Sequence, residues 1–189
     1  MKKQELEMIS EEEVKEVKAF HKRMAIYGIA YVALCLAIVI LFKTVFVFSF
    51  VPSGSMEGSI MTGDFLISSR YDVGAEELER YDVLAFTAPD EPKKTYVKRL
   101  IGLPGETIEV LNGKVYADGV ELDSSFIKGW QNKSGDGVYE VPEGCYFFLG
   151  DNRNNSYDSR FWDNKYVPLE NIQAKARWIV FPPSDAGSL

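Results

Sequence analysis

The longest apolar stretch of the chain begins at Met24. Residues 24–42 form 19 consecutive positions without a formal charge, and they lack the polar stripe that a core helix of a soluble protein presents to solvent. At a rise of about 1.5 Å per residue, such a helix nearly crosses a hydrocarbon layer about 30 Å thick. The pattern therefore predicts one transmembrane helix over residues 24–43.

The residues on either side of this stretch predict its orientation. A cleaved secretory signal has a shorter apolar core of about 7 to 15 residues and a small-residue cleavage site, whereas bulky residues follow here. Four basic residues lie between positions 15 and 23, but only Lys43 lies in the twenty residues that begin there. We therefore expect an uncleaved anchor, with residues 1–23 as a charged helical tail in the cytoplasm and residues 44–189 outside.

Residues 44–189 show a different pattern, in which short β-branched and aromatic runs alternate with Gly, Pro, Asn and Asp. Two junctions, Asn112-Gly113 and Asp118-Gly119, are dipeptides that favour tight hairpin turns because they tolerate positive φ. The pattern predicts one mainly β domain of antiparallel sheets in a barrel-like arrangement, and it leaves open whether a barrel or a sandwich closes it. The predicted strands are 64–69, 82–86, 95–101, 107–111, 114–117, 120–122, 146–149 and 174–181.

A further predicted strand lies between the apolar stretch and Pro52. It places Phe46, Phe48 and Phe50 on one face. These rings could be buried in the β core, or they could rest the domain on the lipid headgroups beside the anchor. Aromatic rings suit both places equally, so the pattern favours neither interpretation.

Charge and composition narrow the classes of function. Residues 44–189 contain 14 Lys and Arg against 22 Asp and Glu, which argues against nucleic acid as a partner. The only histidine, His21, precedes the anchor, so the outer domain has no histidine for a catalytic triad or a metal site. Because Cys145 is its only cysteine, we expect no disulfide framework, no metal and no cofactor there. A catalytic base in this domain must then be Lys, Tyr or a carboxylate.

The segment PSGSM at residues 52–56 has the composition of a turn that presents a hydroxyl group. Proline fixes φ and glycine lets the backbone turn tightly, so Ser55 is exposed at the end of a strand. Such a turn also leaves backbone N–H groups pointing outward. We expect Ser55 to be a nucleophile, and we expect its amide and the hydroxyl of Ser53 to form an oxyanion hole.

The segment YVKR at residues 96–99 supplies a base for that hydroxyl. In an extended strand Tyr96, Lys98 and Leu100 share one face, so apolar side chains flank the amine. Lysine takes a proton from serine only when it is neutral, and burial lowers its pKa from about 10.4 towards the range of about 7 to 8. Lys98 is therefore the predicted general base.

Three spaced segments together resemble the conserved boxes of one enzyme family. They are PSGSM at 52–56, YVKRLIGLPGE at 96–106 and LGDNRNNSYDSR at 149–160, and they follow an amino-terminal apolar stretch in that order. This arrangement is similar to the bacterial type I signal peptidases, which are membrane-bound Ser/Lys endopeptidases that release exported proteins. The resemblance runs from about Thr44 to Phe181.

The resemblance implies a role for each matching residue. Ser55 would be the nucleophile and Lys98 the general base, while Ser156 would hydrogen-bond the lysine and fix its direction. Other matching residues would hold the oxyanion or support the site through ion pairs, namely Ser53, the pair Arg99 and Asp151, and the pair Asp158 and Arg160. The residues that would line small substrate pockets are Val51, Pro52, Met56, Ile60, Tyr96 and Val97.

The implied activity is removal of signal peptides from exported preproteins. Cleavage would follow small residues of the Ala-x-Ala type and pass through an acyl-enzyme, at the bacterial cell membrane, with preproteins and the bilayer as partners. One alternative is an autocleaving Ser/Lys repressor relative, against which the anchor and the lack of a DNA-binding segment count. The other is a membrane-tethered, non-catalytic binding module in which Ser55 and Lys98 are simply solvated.

The chain departs from the family pattern directly after Ser55. The segment MEGSI at residues 56–60 stands where the family usually has Met-x-Pro-Thr-Leu. Proline would stiffen the backbone at that point, and glycine does not. The departure therefore bears on the rigidity of the turn and on the shape of the adjoining pocket.

Overall fold

The computed structural model describes residues 11–127 and 135–189. The chain divides into two units, one up to Thr44 and one from Val45 to Leu189. Helix α1 spans Glu11–Val45, and it is long and apolar enough to cross a membrane, with none of its most apolar window buried. The predicted apolar helix is thus present as one continuous helix. The first ten residues of the predicted charged tail lie outside the described residues.

The second unit is formed by antiparallel sheets, which confirms the predicted fold class. Its strands are β1 (Phe46–Phe50), β2 (Phe65–Ser69), β3 (Val83–Thr87), β4 (Thr95–Gly102), β5 (Thr107–Leu111), β6 (Lys114–Ala117), β7 (Val120–Glu121), β8 (Gly137–Glu140), β9 (Cys145–Leu149), β10 (Val167–Pro168), β11 (Ile172–Phe181) and β12 (Gly187–Ser188). The larger sheet has the order β1-β2-β11-β3-β4-β9-β10, and β12 pairs with β11. The smaller sheet has the order β7-β6-β5-β8.

Both predicted hairpins lie in the smaller sheet. Asn112 and Gly113 have φ values of 54° and 83°, and they connect β5 to β6. Asp118 and Gly119 have φ values of 48° and 81°, and they connect β6 to β7. Positive φ at both central residues matches the right-handed twist of the flanking strands, so these dipeptides set the register of the sheet.

All eight strands predicted in the domain are present, with ends that differ by at most two residues. Strands β8, β10 and β12 were not predicted. Strands β10 and β12 have only two residues each, which is too short to show an alternation of apolar and polar side chains, and the four residues of β8 begin with a glycine, which is depleted in strands. Their pairing with longer neighbours, rather than their own composition, makes them strands.

The phenylalanines of β1 are not core residues. Phe48 is 61 % exposed and Phe50 is 54 % exposed, whereas Phe46 is half-buried. The ring of Phe50 packs on that of Phe65 in the next strand, with centroids 5.2 Å apart. The ring of Phe65 in turn lies 6.1 Å from that of Phe181. An exposed aromatic surface therefore runs across three strands, and burial in the β core is wrong for Phe48 and Phe50.

The core explains the uninterrupted apolar run in β9. Tyr146 and Phe148 belong to one buried cluster, and Phe147 and Leu149 belong to a second. Because successive side chains point to opposite faces and both faces are covered, every position from 146 to 149 is buried. A third cluster contains residues that precede and follow Ser55, and its members are Val51, Met56, Ile60, Leu66, Val83, Ala176 and Ile179.

Phe86 on β3 tests the packing of the first cluster. It is fully buried, and its ring centroid lies 4.4 Å from that of Phe148 and 5.9 Å from that of Trp162. We expect Phe86→Ala to lower the free energy of unfolding by about 3 to 5 kcal/mol because it leaves a large cavity. Urea unfolding of the full-length protein in detergent micelles, followed by tryptophan fluorescence, measures this loss.

The matched control for Phe86→Ala is Tyr71→Ala, because the side chain of Tyr71 is 68 % exposed. Its effect on the free energy of unfolding should stay within about 0.5 kcal/mol. A loss at Phe86 no larger than that at Tyr71 would contradict the packing described.

Candidate active site

The predicted nucleophile lies on a short turn between β1 and β2. Residues Gly54–Met56 form a single 3-10 turn that carries Ser55. The backbone N–H of Val51 donates to the carbonyl of Asp64 at 2.9 Å, which ties the start of this segment to the start of β2. Met56 is 2 % exposed and packs into the third cluster. The packing of Met56 therefore holds the turn in place, and Ser55 on this turn is half-buried.

Lys98 lies in the middle of β4 and reaches Ser55 from the sheet. Its side chain is buried, and its Nζ donates a hydrogen bond to Ser55 Oγ. Tyr96 and Leu100 pack with the first cluster, whereas Val97 packs with the third. Alternation along the strand therefore gives the amine apolar neighbours on its own face, as predicted. The Tyr96 ring centroid lies 5.7 Å from Nζ.

Burial changes the acid strength of this amine. Desolvation lowers the pKa of Lys98 from 10.5 to about 8. The carboxylates of Asp158 and Asp151 oppose this change because they favour the charged form, and the Arg160 guanidinium adds to it. A substantial fraction of the amine is thus neutral near physiological pH, which a solvated lysine is not.

Arg99, the next residue of β4, points away from the amine and forms a buried ion pair. Its Nε and Nη2 donate to the two carboxylate oxygens of Asp151 at 2.8 and 2.6 Å. Its Nη1 donates to the carbonyl of Tyr81 at 2.8 Å, and its Nη2 also donates to Ser59 Oγ at 3.1 Å. The phenyl ring of Phe126 covers the guanidinium at 4.4 Å. Arg99 therefore links β4 both to the loop after β9 and to the segment after Ser55.

Asp158 and Arg160 form a second buried ion pair within the loop after β9. Arg160 Nε and Nη2 donate to the two carboxylate oxygens of Asp158, each at 2.8 Å. Asp158 also accepts from the backbone N–H of Gly150 at 3.0 Å, which closes the loop on itself. Within the described parts of the chain, no group of three or more His, Cys, Asp or Glu side chains is placed to hold a metal ion.

Ser156 differs from the role that the resemblance implies. Its side chain is buried near the site, but its Oγ has no hydrogen-bond partner among the described residues, so it does not bond to Lys98. The hydroxyl lies against the backbone of Gly150, where an added Cβ would fall 2.2 Å from it. The direction of Lys98 is therefore set by its strand and by Ser55 in this structure.

An open cleft of about 1010 Å³ runs past Ser55 and Lys98. All six residues predicted to line substrate pockets border it, together with Ser53 and Ser156, although Ile60 is itself fully buried. The arginine and aspartate residues of the two ion pairs do not line it. Further lining residues that were not predicted are Ser49, Phe50, Gly54, Lys94, Thr95, Asn154, Asn155, Tyr157 and Phe161.

Sequence reasoning assigned no role to Gly150 and Asn152, although both contact the nucleophile segment. A Cβ at Gly150 would lie 2.4 Å from the carbonyl oxygen of Ser55, so only glycine fits there without displacing the backbone. The backbone N–H of Asn152 donates to that same oxygen at 3.1 Å. The one available signal was their position in a polar segment directly after an apolar strand.

Comparison with known proteins identifies the family of this chain. Residues 24–181 match the family model described as signal peptidase, peptidase S26. Signal peptidase I of Rickettsia typhi is 30 % identical over an alignment 203 residues long, which covers 78 % of this chain and 76 % of that protein. Signal peptidase I of Leptolyngbya laminosa is 35 % identical over 147 residues, covering 74 % of this chain and 71 % of that protein.

A crystal structure of a signal peptidase I from Enterococcus faecalis is 33 % identical in sequence, with a TM-score of 0.45. It covers 52 % of this chain and 95 % of that chain. The assignment rests on the family match and on the relatives in sequence. The chain therefore belongs to the bacterial type I signal peptidases, serine peptidases that remove signal peptides from preproteins.

Proposed function

We propose that this enzyme cuts preproteins with a Ser/Lys dyad, in which Ser55 is the nucleophile and Lys98 the general base. The observation that carries the proposal is the contact between Lys98 Nζ and Ser55 Oγ, made by an amine whose pKa burial lowers to about 8. A lysine in contact with a serine hydroxyl can accept its proton only when neutral. The burial of Lys98 counts against a binding module in which this side chain is simply solvated.

In the proposed reaction, Ser55 Oγ attacks the scissile carbonyl carbon while its proton passes to Lys98 Nζ. The tetrahedral intermediate carries an oxyanion, which the Ser55 N–H and the Ser53 hydroxyl would stabilise. When the C–N bond breaks, Lys98 returns the proton to the leaving amine and Ser55 is acylated. A water molecule then gives a proton to Lys98 and attacks the ester, and Ser55 regains that proton as it leaves.

The substrate is proposed to bind as an added strand along β4. Residues Thr95 to Lys98 pair with β3 along one edge, whereas the pairing of β4 with β9 begins only at Arg99. The other edge of residues 95–98 therefore has free backbone groups beside the cleft, and such an edge accepts an extended peptide. Cleavage after small residues of the Ala-x-Ala type follows from the family resemblance.

Ser55→Ala and Lys98→Ala test the dyad. Each variant should lose processing of a preprotein by at least about 1000-fold, because either change removes a reacting group. The measurement is the rate of product formation by the full-length protein in micelles.

Substrates with Ala at the first and third positions before the cut should be processed much faster than matched substrates with Leu there.

The matched control for the dyad is Lys114→Ala, which removes an exposed amine that does not line the cleft. Its rate should stay close to that of the parent. Retained processing by either dyad variant, with its fold intact by circular dichroism, would reject the dyad.

The pH dependence follows from the lowered pKa of Lys98. The neutral amine is the active form, so kcat/KM should rise with pH and reach half of its plateau at about pH 8. Below that midpoint, activity should fall about tenfold for each pH unit as the amine becomes protonated. A preprotein substrate assayed between pH 5 and about 10 gives the profile. A midpoint near the ordinary lysine pKa, or a flat profile from pH 6 to about 8, would contradict a buried general base.

We further propose that α1 anchors the enzyme, with its amino terminus in the cytoplasm and residues 44–189 outside. Its length, its apolar surface and the basic residues that precede the apolar stretch support this orientation. The rings of Phe48 and Phe50 are exposed on the surface of the domain, which supports contact of β1 with lipid headgroups. Aromatic rings are favoured at the interface between lipid and water.

Cysteine labelling tests the orientation and the lipid contact together. In a background with Cys35→Ala and Cys145→Ala, we compare Lys18→Cys, Val120→Cys and Phe48→Cys. A membrane-impermeant maleimide should label the Val120→Cys variant in intact spheroplasts, and it should label the Lys18→Cys variant only after lysis.

The Phe48→Cys variant should react several times more slowly than the Val120→Cys variant in these spheroplasts. Phe48 and Val120 are 61 % and 68 % exposed, so burial within the protein does not explain a difference. Labelling of the Lys18→Cys variant before lysis would reverse the orientation. Equal rates for the other two variants would remove the lipid contact.

A further inference from the structure

We propose that Asn152 is a positioning residue, which fixes the peptide groups on both sides of Ser55 and so aims the Ser55 N–H at the oxyanion. This inference rests on the proposed function of Ser55. Asn152 does not line the cleft, and it acts through the backbone of residues 54 and 55. Its side chain and its backbone each make one of the contacts that carry the inference.

The side-chain contact sets the direction of the Ser55 amide. Asn152 Nδ2 donates to the carbonyl oxygen of Gly54 at 3.0 Å. The C=O of Gly54 and the N–H of Ser55 belong to one peptide group, which is planar and trans, so they point in opposite directions. A donor that holds the Gly54 oxygen therefore also fixes where the Ser55 N–H points.

The backbone contact holds the next peptide group. The N–H of Asn152 donates to the carbonyl oxygen of Ser55 at 3.1 Å. Gly150 closes around the same oxygen, since an added Cβ there would lie 2.4 Å from it. The segment 150–152 thus contacts the peptide groups on both sides of Ser55. The position of this segment depends in turn on the ion pair of Asp151 with Arg99 and on the hydrogen bond from the Gly150 N–H to Asp158.

Glu57 connects this contact to the departure of the chain after Ser55. Gly58 has a φ of +116°, which proline cannot adopt because its ring holds φ near −65°. The turn therefore differs from one with proline at that position. Glu57 instead ties the turn to its surroundings, since its carboxylate accepts from Asn152 Nδ2 at 3.4 Å and from Thr62 Oγ1 at 3.1 Å. The same carboxylate lies over Gly54, within 2.5 Å of where a Cβ would be.

The test compares Asn152→Ala and Asn152→Asp with the parent, as full-length proteins in micelles with a preprotein substrate. Both variants lose the side-chain donor to the Gly54 oxygen, which keeps only the backbone N–H of Glu57 at 3.2 Å, and both retain the backbone N–H of residue 152. We expect kcat to fall about tenfold or more, because a misdirected oxyanion donor stabilises the transition state less. KM should change less than twofold, because the loss occurs in the transition state. The midpoint of the Asn152→Ala pH profile should stay where the parent has it, since no charge near Lys98 changes.

Two further comparisons separate positioning from general stability. Asn164→Ala is the matched control, because Asn164 Nδ2 donates to Asp90 at 2.9 Å outside the cleft. It should leave kcat unchanged. Glu57→Ala should lower kcat less than Asn152→Ala does. Glu57→Gln should restore part of that loss, because its single side-chain oxygen can still accept from Asn152 Nδ2 while its Nε2 donates to Thr62 Oγ1.

The inference is overturned if both Asn152 variants keep kcat within twofold of the parent, or if their loss lies in KM alone. If circular dichroism shows that Asn152→Ala is unfolded, the other variants test the inference. Asn152→Asp nearly preserves the volume of the side chain, and the two Glu57 variants change a partly exposed side chain. Failure of the dyad is a separate result. It would appear as processing by Ser55→Ala or Lys98→Ala, whereas failure of this inference leaves those two variants inactive and the Asn152 variants unimpaired.

Discussion

The burial of the Lys98 amine beside Ser55 is the constraint on which the site depends. Lowering the pKa of a lysine from 10.5 to about 8 corresponds to about 3 kcal/mol by which the charged form is disfavoured relative to water. The fold must offset this by packing elsewhere. Strand β4 does so because Tyr96 and Leu100 pack with the first cluster, Ile101 with the second and Val97 with the third. Its pairing with β3 also places Leu84 opposite the lysine.

The charges near this amine are arranged so that they do not reverse the effect of burial. Asp151 and Asp158 would each raise the pKa of Lys98, but each carboxylate also forms a two-point hydrogen-bonded pair with an arginine. A paired carboxylate exerts a weaker net field on its neighbours than an isolated one. The two ion pairs therefore let the loop after β9 lie close to the site. Removing one partner of such a pair would leave an uncompensated charge in the protein interior. These residues therefore support the site although they do not line the cleft.

The structure also explains which features were predictable from sequence. The apolar helix, the β strands and the hairpins at Asn112-Gly113 and Asp118-Gly119 depend on local patterns, and they are present. The nearness of Ser55 to Lys98 depends on pairing between distant strands, so it was inferred from spaced motifs rather than from periodicity. The exposure of Phe48, and the lack of a partner for the Ser156 hydroxyl among the residues that the structure describes, depend on what packs against each residue. No local pattern encodes that information.

The contacts of Asn152 were hidden for a related reason. A polar segment after an apolar strand has the composition of a solvated loop, and its composition does not indicate which carbonyl oxygens it will reach. In the folded chain, the nucleophile is held by this segment and by apolar packing from below, whereas the base is held by a sheet. Because Ser55 and Lys98 lie on separate structural elements, their alignment depends on contacts between those elements. Arg99 makes such a contact, since it lies beside Lys98 in β4 and bonds both Asp151 and Ser59. The Arg99 guanidinium thus connects the sheet, the loop after β9 and the segment after Ser55. A shift in any of these three elements would therefore change the distance between Ser55 and Lys98.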